Sequence, residues 1–250
     1  MNIHTERTRP QYGARIADHT PITAVRDAYD EWHAGQSTGE GAWYELARRQ
    51  ILSHRLCTDA SALEIGCGWG TFSAWLADQG ADVIGADFAP VAIEKARELH
   101  QRPRLRFEVQ DIESLPYDDG AFDLVVSCET IEHVPHPPVA VAELARVLRP
   151  GGTLLLTTPN YLSLTGLHRL WREATGRKWD EGGQPIAHFT VHPKTMRWVR
   201  AAGLRVVEVD GRGHYLPIPG RQPTPELSVP GALERPLRRL ALHVLVRAVK

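Results

Sequence analysis

At 250 residues, with 42% hydrophobic and 24% charged side chains, the chain can bury the core of one large α/β domain with additions. Lys and Arg number 29 against 30 Asp and Glu, a net charge of −1, which excludes a global basic field that would recruit nucleic acid or an acidic membrane. The chain opens with no apolar h-region, and no apolar run is long enough to span a bilayer, so a soluble, cytoplasmic protein is expected.

Residues 1–20 are polar and aperiodic and read as a flexible arm before a single domain over 21–250. Thr23–His33 reads as a helix opened by a threonine cap, and Ala42–Leu56 as a second, amphipathic helix after the small-residue loop Gly35–Gly41. From Ala60 strands and helices alternate. Strands are expected at Ala62–Ile65, Asp82–Ala86, Leu105–Val109, Leu124–Ser127 and Thr153–Thr157, with helices at Trp69–Gln79, Pro90–Gln101 and Val139–Leu148. Pro90 suits a first helical turn, and Arg149-Pro150-Gly151-Gly152 stops one helix and turns into the next strand. This alternation predicts a doubly wound, mostly parallel sheet with ligands at the carboxyl ends of its strands.

After Pro159 the rhythm breaks. Residues 161–192 hold one helix-like stretch, Leu164–Thr175, and a Gly-rich loop, Asp180–Pro185; they are expected above the strand tips as a lid or substrate-pocket insertion. Thr195–Ala202 reads as a helix and Leu204–Asp210 as a sixth strand, while proline-rich Tyr215–Pro230 is a second pocket loop or a mobile flap. Leu233–Leu240 reads as helical, and His243–Val249 is an apolar run. The cysteines Cys57, Cys67 and Cys128 fit no metal spacing, and their odd number argues against a disulfide framework.

The chemistry gathers at Ala62–Phe72, where a short strand runs into Gly66, Gly68 and Gly70 and then into a helix. Such a turn lets a ligand lie on bare backbone. A nicotinamide-dinucleotide fingerprint would put its third glycine at position 71, where Thr71 stands, and Glu64 departs from it as well. The second strand ends in Asp87, whose carboxylate can take both hydroxyls of a ribose.

Together Glu64, Gly66, Gly68, Gly70 and Asp87 resemble the class I S-adenosylmethionine-dependent methyltransferases. The resemblance implies a Rossmann-like seven-stranded sheet whose last strand, His243–Val249, inserts antiparallel between the fifth and sixth. It implies that the helices of 21–58 cap the cofactor and supply part of the substrate pocket; Tyr29, Trp32, Trp43 and Tyr44 then line the pocket or pack on the sheet. S-adenosylmethionine is the implied cofactor. Its expected contacts are Glu64, Gly66, Cys67, Gly68 and Gly70 around the methionine portion, Asp87 on the ribose, Asp111 and Ile112 at the adenine, and Cys128 beside them. Phe88 lies against the adenine or packs in the core, and Arg48 and Arg49 either meet the methionine carboxylate or are solvated.

Beyond the fourth strand comes Ser127-Cys128-Glu129-Thr130-Ile131-Glu132-His133-Val134. If Glu129 opens a helical turn, Glu132 and His133 stand at i+3 and i+4 on its face. Two carboxylates and an imidazole there can hold a divalent cation or pair a base with its orienting acid. The segment resembles the ubiquinone-pathway O-methyltransferases and also the small-RNA 2′-O-methyltransferases, in which the matching residues bind a metal. That resemblance implies catalytic roles for Glu129, Glu132 and His133, and Mg²⁺ or Mn²⁺ held by those three with His188. In relatives without a metal the histidine packs or contacts substrate. The expected reaction is methyl transfer to a hydroxyl of a small-molecule acceptor, with a metal or with His133 as base. Transfer to nitrogen or carbon, an oxidoreductase on the same scaffold and a non-catalytic cofactor-binding protein remain alternatives. His168, His214 and His243 have no partner visible in the sequence.

Overall fold

The computed structural model describes residues 21–35, 41–177, 179, 184–215, 227, 229, 233 and 236–250. The arm 1–20, nearly all of Tyr215–Pro230, most of the Asp180–Pro185 loop and residues 234 and 235 of Leu233–Leu240 lie outside the described residues.

Seven strands form one sheet in the order β3-β2-β1-β4-β5-β7-β6. They are β1 (Ser61–Ile65), β2 (Asp82–Asp87), β3 (Leu105–Val109), β4 (Phe122–Cys128), β5 (Leu148–Pro159), β6 (Arg205–Arg212) and β7 (His243–Val249). The first five pair in parallel, and β7 lies antiparallel between β5 and β6, as the resemblance implied. Successive residues of the central strands feed two cores. Leu63, Ile65, Val125, Leu154, Leu156 and Val246 enter one; Ala62, Leu124, Val126, Leu155 and Leu245 enter the other. A period of two with apolar residues on both faces is what a parallel sheet covered by helices requires. Helices α5 (Pro137–Val147) and α7 (His192–Ala201) cover the first face, and α2 (Ala42–His54) and α3 (Thr71–Asp78) the second.

The remaining helices are α1 (Ile22–Ala34), α4 (Pro90–Leu99) and α6 (Leu164–Ala174). Three expectations shift. The first helix begins after Pro21 with no side-chain cap, so Thr23 lies inside it. The third helix begins at Thr71 rather than Trp69, because Gly70 stands before it at φ 78°, outside helical space. The strand after α5 begins at Leu148 and carries Pro150-Gly151-Gly152 within it. Among the described residues no helix is long and apolar enough to cross a membrane.

β1 pairs with β2 on one side and β4 on the other, and their carboxyl ends open together. This is the topological switch point of a doubly wound sheet, where the crossovers diverge and leave a crevice.

Candidate active site

A cleft of about 640 Å³ occupies that crevice. Its floor is the turn after β1. Gly66, Gly68 and Gly70 all have positive φ, and their missing side chains do different things. A Cβ on Gly66 would overlap Thr130, and one on Gly70 would overlap the Phe107 ring. Among the described residues a Cβ on Gly68 would meet only His33 Cε1, at 3.9 Å, and would project into the cleft. Gly70 is therefore a packing residue between helix and sheet and does not line the cleft, whereas Gly68 presents bare backbone to it.

Asp87 ties this turn to the end of β2. Its Oδ2 accepts from Gly68 N at 2.8 Å, its Oδ1 accepts from Ala89 N at 3.0 Å, and His33 Nε2 lies 3.8 Å from Oδ1. Glu64 takes a different place from the one expected. It is fully buried, absent from the cleft wall, accepts from Ser73 Oγ and borders Tyr44. Burial pushes its carboxyl up to about 8, against which the Ser73 bond works. A side chain on the strand's inward face points under the turn, so Glu64 braces the floor from below.

Cys67, Phe88, Asp111, Ile112 and Cys128 all line the cleft. Asp111 Oδ1 accepts from Glu113 N at 2.9 Å, which sets its carboxylate at the end of β3. Burial raises both the Cys67 and Cys128 thiols, which stay neutral. Arg48 stacks over Phe72 and Trp75, and Arg49 pairs with Asp210; neither lines the cleft.

α1 and α2 form the roof. Tyr29, Trp32, Trp43 and Tyr44 all line the cleft. The Tyr29 hydroxyl donates to the His133 carbonyl at 2.8 Å, and Asp30 accepts from Val91 N, so α1 is pinned across both ends of the crevice. Tyr161, Trp179 and Gln184 add a wall from the 161–192 insertion.

The Glu129–His133 segment departs from the expected helical turn. Glu129 has φ 48°, a left-handed conformation that is rare outside glycine, and the helical turn starts two residues later as a 3₁₀ segment, Ile131–His133. Glu129 is thus turned away from its neighbours. Its Oε2 meets His243 Nδ1 at 3.2 Å, while Glu132 lies 3.5 Å from His133 Nε2. His133 Nδ1 donates to the Ile186 carbonyl at 2.6 Å, and burial lowers the imidazole to about 4, so it is neutral.

The proposed metal ligands do not converge. His188 Nε2 donates to the Val134 carbonyl at 2.8 Å, and its backbone N–H donates to the Glu132 carbonyl at 2.8 Å. His133 and His188 fasten the insertion to the 3₁₀ turn, and each commits a ring nitrogen to a carbonyl. Among the described residues no group of three or more His, Cys, Asp or Glu is arranged to hold a metal. Two cleft histidines to which sequence reasoning gave no role are His33 and His243. His243 lies on the last strand, far in sequence from every motif, and only the antiparallel insertion of β7 brings it beside Glu129.

Residues 63–156 match a methyltransferase domain family. The ubiquinone biosynthesis O-methyltransferase of Xanthomonas euvesicatoria is 33% identical over 169 residues, 66% of this chain and 71% of the relative. The protein of the same name from Coxiella burnetii is 32% identical over 160 residues, 62% of this chain and 68% of the relative. A putative methyltransferase of Haloferax volcanii, solved in complex with the Trm112 activator, superposes with a TM-score of 0.62 at 25% identity, covering 90% of this chain and 96% of that one. Magnesium protoporphyrin IX methyltransferase of Synechocystis gives the same TM-score at 16% identity, over 92% of this chain and 100% of that one, a likeness of fold. The chain belongs to the class I S-adenosylmethionine-dependent methyltransferases and is an enzyme.

Proposed function

We propose that this enzyme transfers the methyl group of S-adenosylmethionine to an oxygen of a small-molecule acceptor bound in the cleft. The observation that carries the reading is a single crevice of about 640 Å³, with a bare Gly68 backbone and the Asp87 carboxylate at one end and two Glu–His pairs at the other. That volume suits small molecules. The relatives named for ubiquinone biosynthesis O-methylation support oxygen as the acceptor atom.

The residues fit the cofactor. Gly66, Cys67 and Gly68 would cradle its methionine portion, and Asp87 its ribose, with Phe88, Asp111 and Ile112 about the adenine and Cys128 beside the reacting centre. When bound, S-adenosylmethionine supplies a methyl group made electrophilic by its sulfonium. The chain's work is to hold the acceptor oxygen in line with that group and to exclude water. Trp43, Tyr161 and Trp179 give the acceptor apolar aromatic walls, and Tyr29, bonded to the His133 carbonyl, keeps the roof closed over the catalytic segment. Glu129, Glu132 and His133 border the acceptor end. His133, neutral with Nδ1 donating to Ile186, offers Nε2 as a hydrogen-bond acceptor that orients a hydroxyl. This reading routes no step through a divalent cation: among the described residues no three His, Cys, Asp or Glu side chains are arranged to hold one.

Calorimetry with S-adenosylhomocysteine tests the cofactor half: one saturable site is expected, and no heat would overturn it. Incubation with methyl-tritiated cofactor and a panel of catechols, amines and activated carbon acids tests the acceptor half. Label on catechol oxygen is expected; label confined to nitrogen or carbon products would refute O-methylation.

A further inference from the structure

Asp87 keeps bonding capacity that the fold does not use. Oδ1 accepts from Ala89 N and Oδ2 from Gly68 N, which leaves each oxygen a further lone pair. Facing the carboxylate across the cleft is His33, whose Nε2 stands 3.8 Å from Oδ1, beyond hydrogen-bond reach. Neither ring nitrogen of His33 has a hydrogen-bond partner among the described residues, although the side chain is only 12% exposed. A nearly buried polar group left unbonded is costly, so a gap of this size calls for an occupant. One hydroxyl fills it: its oxygen can stand about 2.8 Å from both atoms, accepting from Nε2–H and donating to Oδ1.

The place of His33 is set independently of Asp87. Tyr29 and Asp30 anchor α1, on the His133 carbonyl at 2.8 Å and on Val91 N–H at 3.0 Å. His33 follows them at i+4 and i+3 and so lies on the same helix face. Trp32 meets its ring edge-on, at 4.8 Å between centroids. Beneath the ring lies the bare Gly68 backbone, where a Cβ would come within 3.9 Å of His33 Cε1. The imidazole is therefore the far wall of a narrow slot over the glycine turn, with the carboxylate at its end. Among the described residues no side chain donates to Asp87, and no Lys or Arg lines the cleft.

We propose that His33 is a cofactor-binding residue that clamps one ribose hydroxyl together with Asp87, Nε2–H donating to the hydroxyl oxygen and the carboxylate accepting its hydrogen. The inference rests on the placement of the cofactor ribose at Asp87 given above. A carboxylate alone takes any donor, whereas the pair selects a group that donates and accepts at once; a hydroxyl does both, an ammonium only donates and a carboxylate only accepts. The clamp also joins the roof to the cofactor, because the helix that carries His33 reaches the acceptor end through Tyr29.

The test is calorimetry on the full chain with S-adenosylhomocysteine and with its 2′-deoxy and 3′-deoxy analogues. His33→Phe keeps a flat ring beside Trp32 and removes the donor; it should weaken S-adenosylhomocysteine by roughly 3- to 12-fold. With the analogue that lacks the clamped hydroxyl, wild type and variant should bind alike, while the other analogue shows the full loss. A His33 that only props α1 or Asp87 would weaken all three ligands by the same factor, and that result overturns the proposal, as does a variant with undiminished affinity for S-adenosylhomocysteine. Thermal midpoints establish that the variant is folded, with His33→Leu as the second substitution if Phe is not tolerated. If the wild type fails to bind S-adenosylhomocysteine, binds both deoxy analogues as tightly as the parent, or loses no affinity on Asp87→Ala, the ribose placement falls and the clamp with it. A weakened Asp87→Ala beside an unaffected His33→Phe strikes the clamp alone.

Discussion

Glu64 beneath the glycine turn makes the stability of this fold depend on pH in a predictable direction. Its carboxyl is fully buried, and burial raises it from 4.5 to about 8. The unfolded chain releases this proton near 4.5, whereas the native state keeps it until about 8. Between these values the native state binds more protons than the unfolded one, so stability falls as pH rises through the window and is flat outside it. An interval of about 3.5 pH units at about 1.36 kcal/mol each gives a total on the order of 5 kcal/mol. Glu64→Gln is the isostere of the protonated form and carries no such dependence. Urea unfolding of both proteins from about pH 5 to about pH 8 isolates this one group, since every other titration cancels in the difference. Near pH 5 the two should be similar, and by about pH 8 the Gln variant should be the more stable by on the order of 4 kcal/mol. A difference that stays constant across the range would refute a proton held on Glu64.

Three further outcomes follow from the site. Asp87→Ala should weaken S-adenosylhomocysteine by about 2–3 kcal/mol in calorimetry, through loss of a charge-assisted ribose contact and of the bond that holds Gly68; undiminished affinity would remove Asp87 from the site. Gly68→Ala and Gly70→Ala should separate binding from stability. The first puts a methyl into the cleft and should act on affinity, while the second drives one into Phe107 and should cost about 1–3 kcal/mol in thermal unfolding; identical profiles would contradict these placements. Mg²⁺ or Mn²⁺ titrated into the S-adenosylhomocysteine complex should give no saturable heat, because among the described residues no three His, Cys, Asp or Glu side chains are arranged to hold a metal; a 1:1 isotherm abolished by His188→Ala would restore the metal site.

The strand–helix alternation from Ala60 to Pro159 was legible in the sequence because each element there is local. An apolar run of strand length, a glycine turn and an amphipathic helix are set by neighbours in the chain. The same locality placed together the residues proposed for the cofactor, since Gly66, Gly68, Asp87 and Asp111 all sit at ends of consecutive parallel strands, which a doubly wound sheet brings together by topology alone. Even so, the sequence could not say that Gly70 faces Phe107 and Glu64 lies under the turn. Both depend on which face of an element meets which neighbour.

The acceptor end was another matter. Helical spacing put Glu129, Glu132 and His133 on one face, and the left-handed backbone at Glu129 undid that spacing. That conformation is maintained by bonds to Thr157 on the neighbouring strand, an influence no window of sequence contains. By itself the sequence determined the scaffold, the family and the strand tips where a cofactor would rest. Tertiary structure decided which histidine meets which carboxylate, because His243 and Glu129 are 114 residues apart and become neighbours only when β7 inserts against β5.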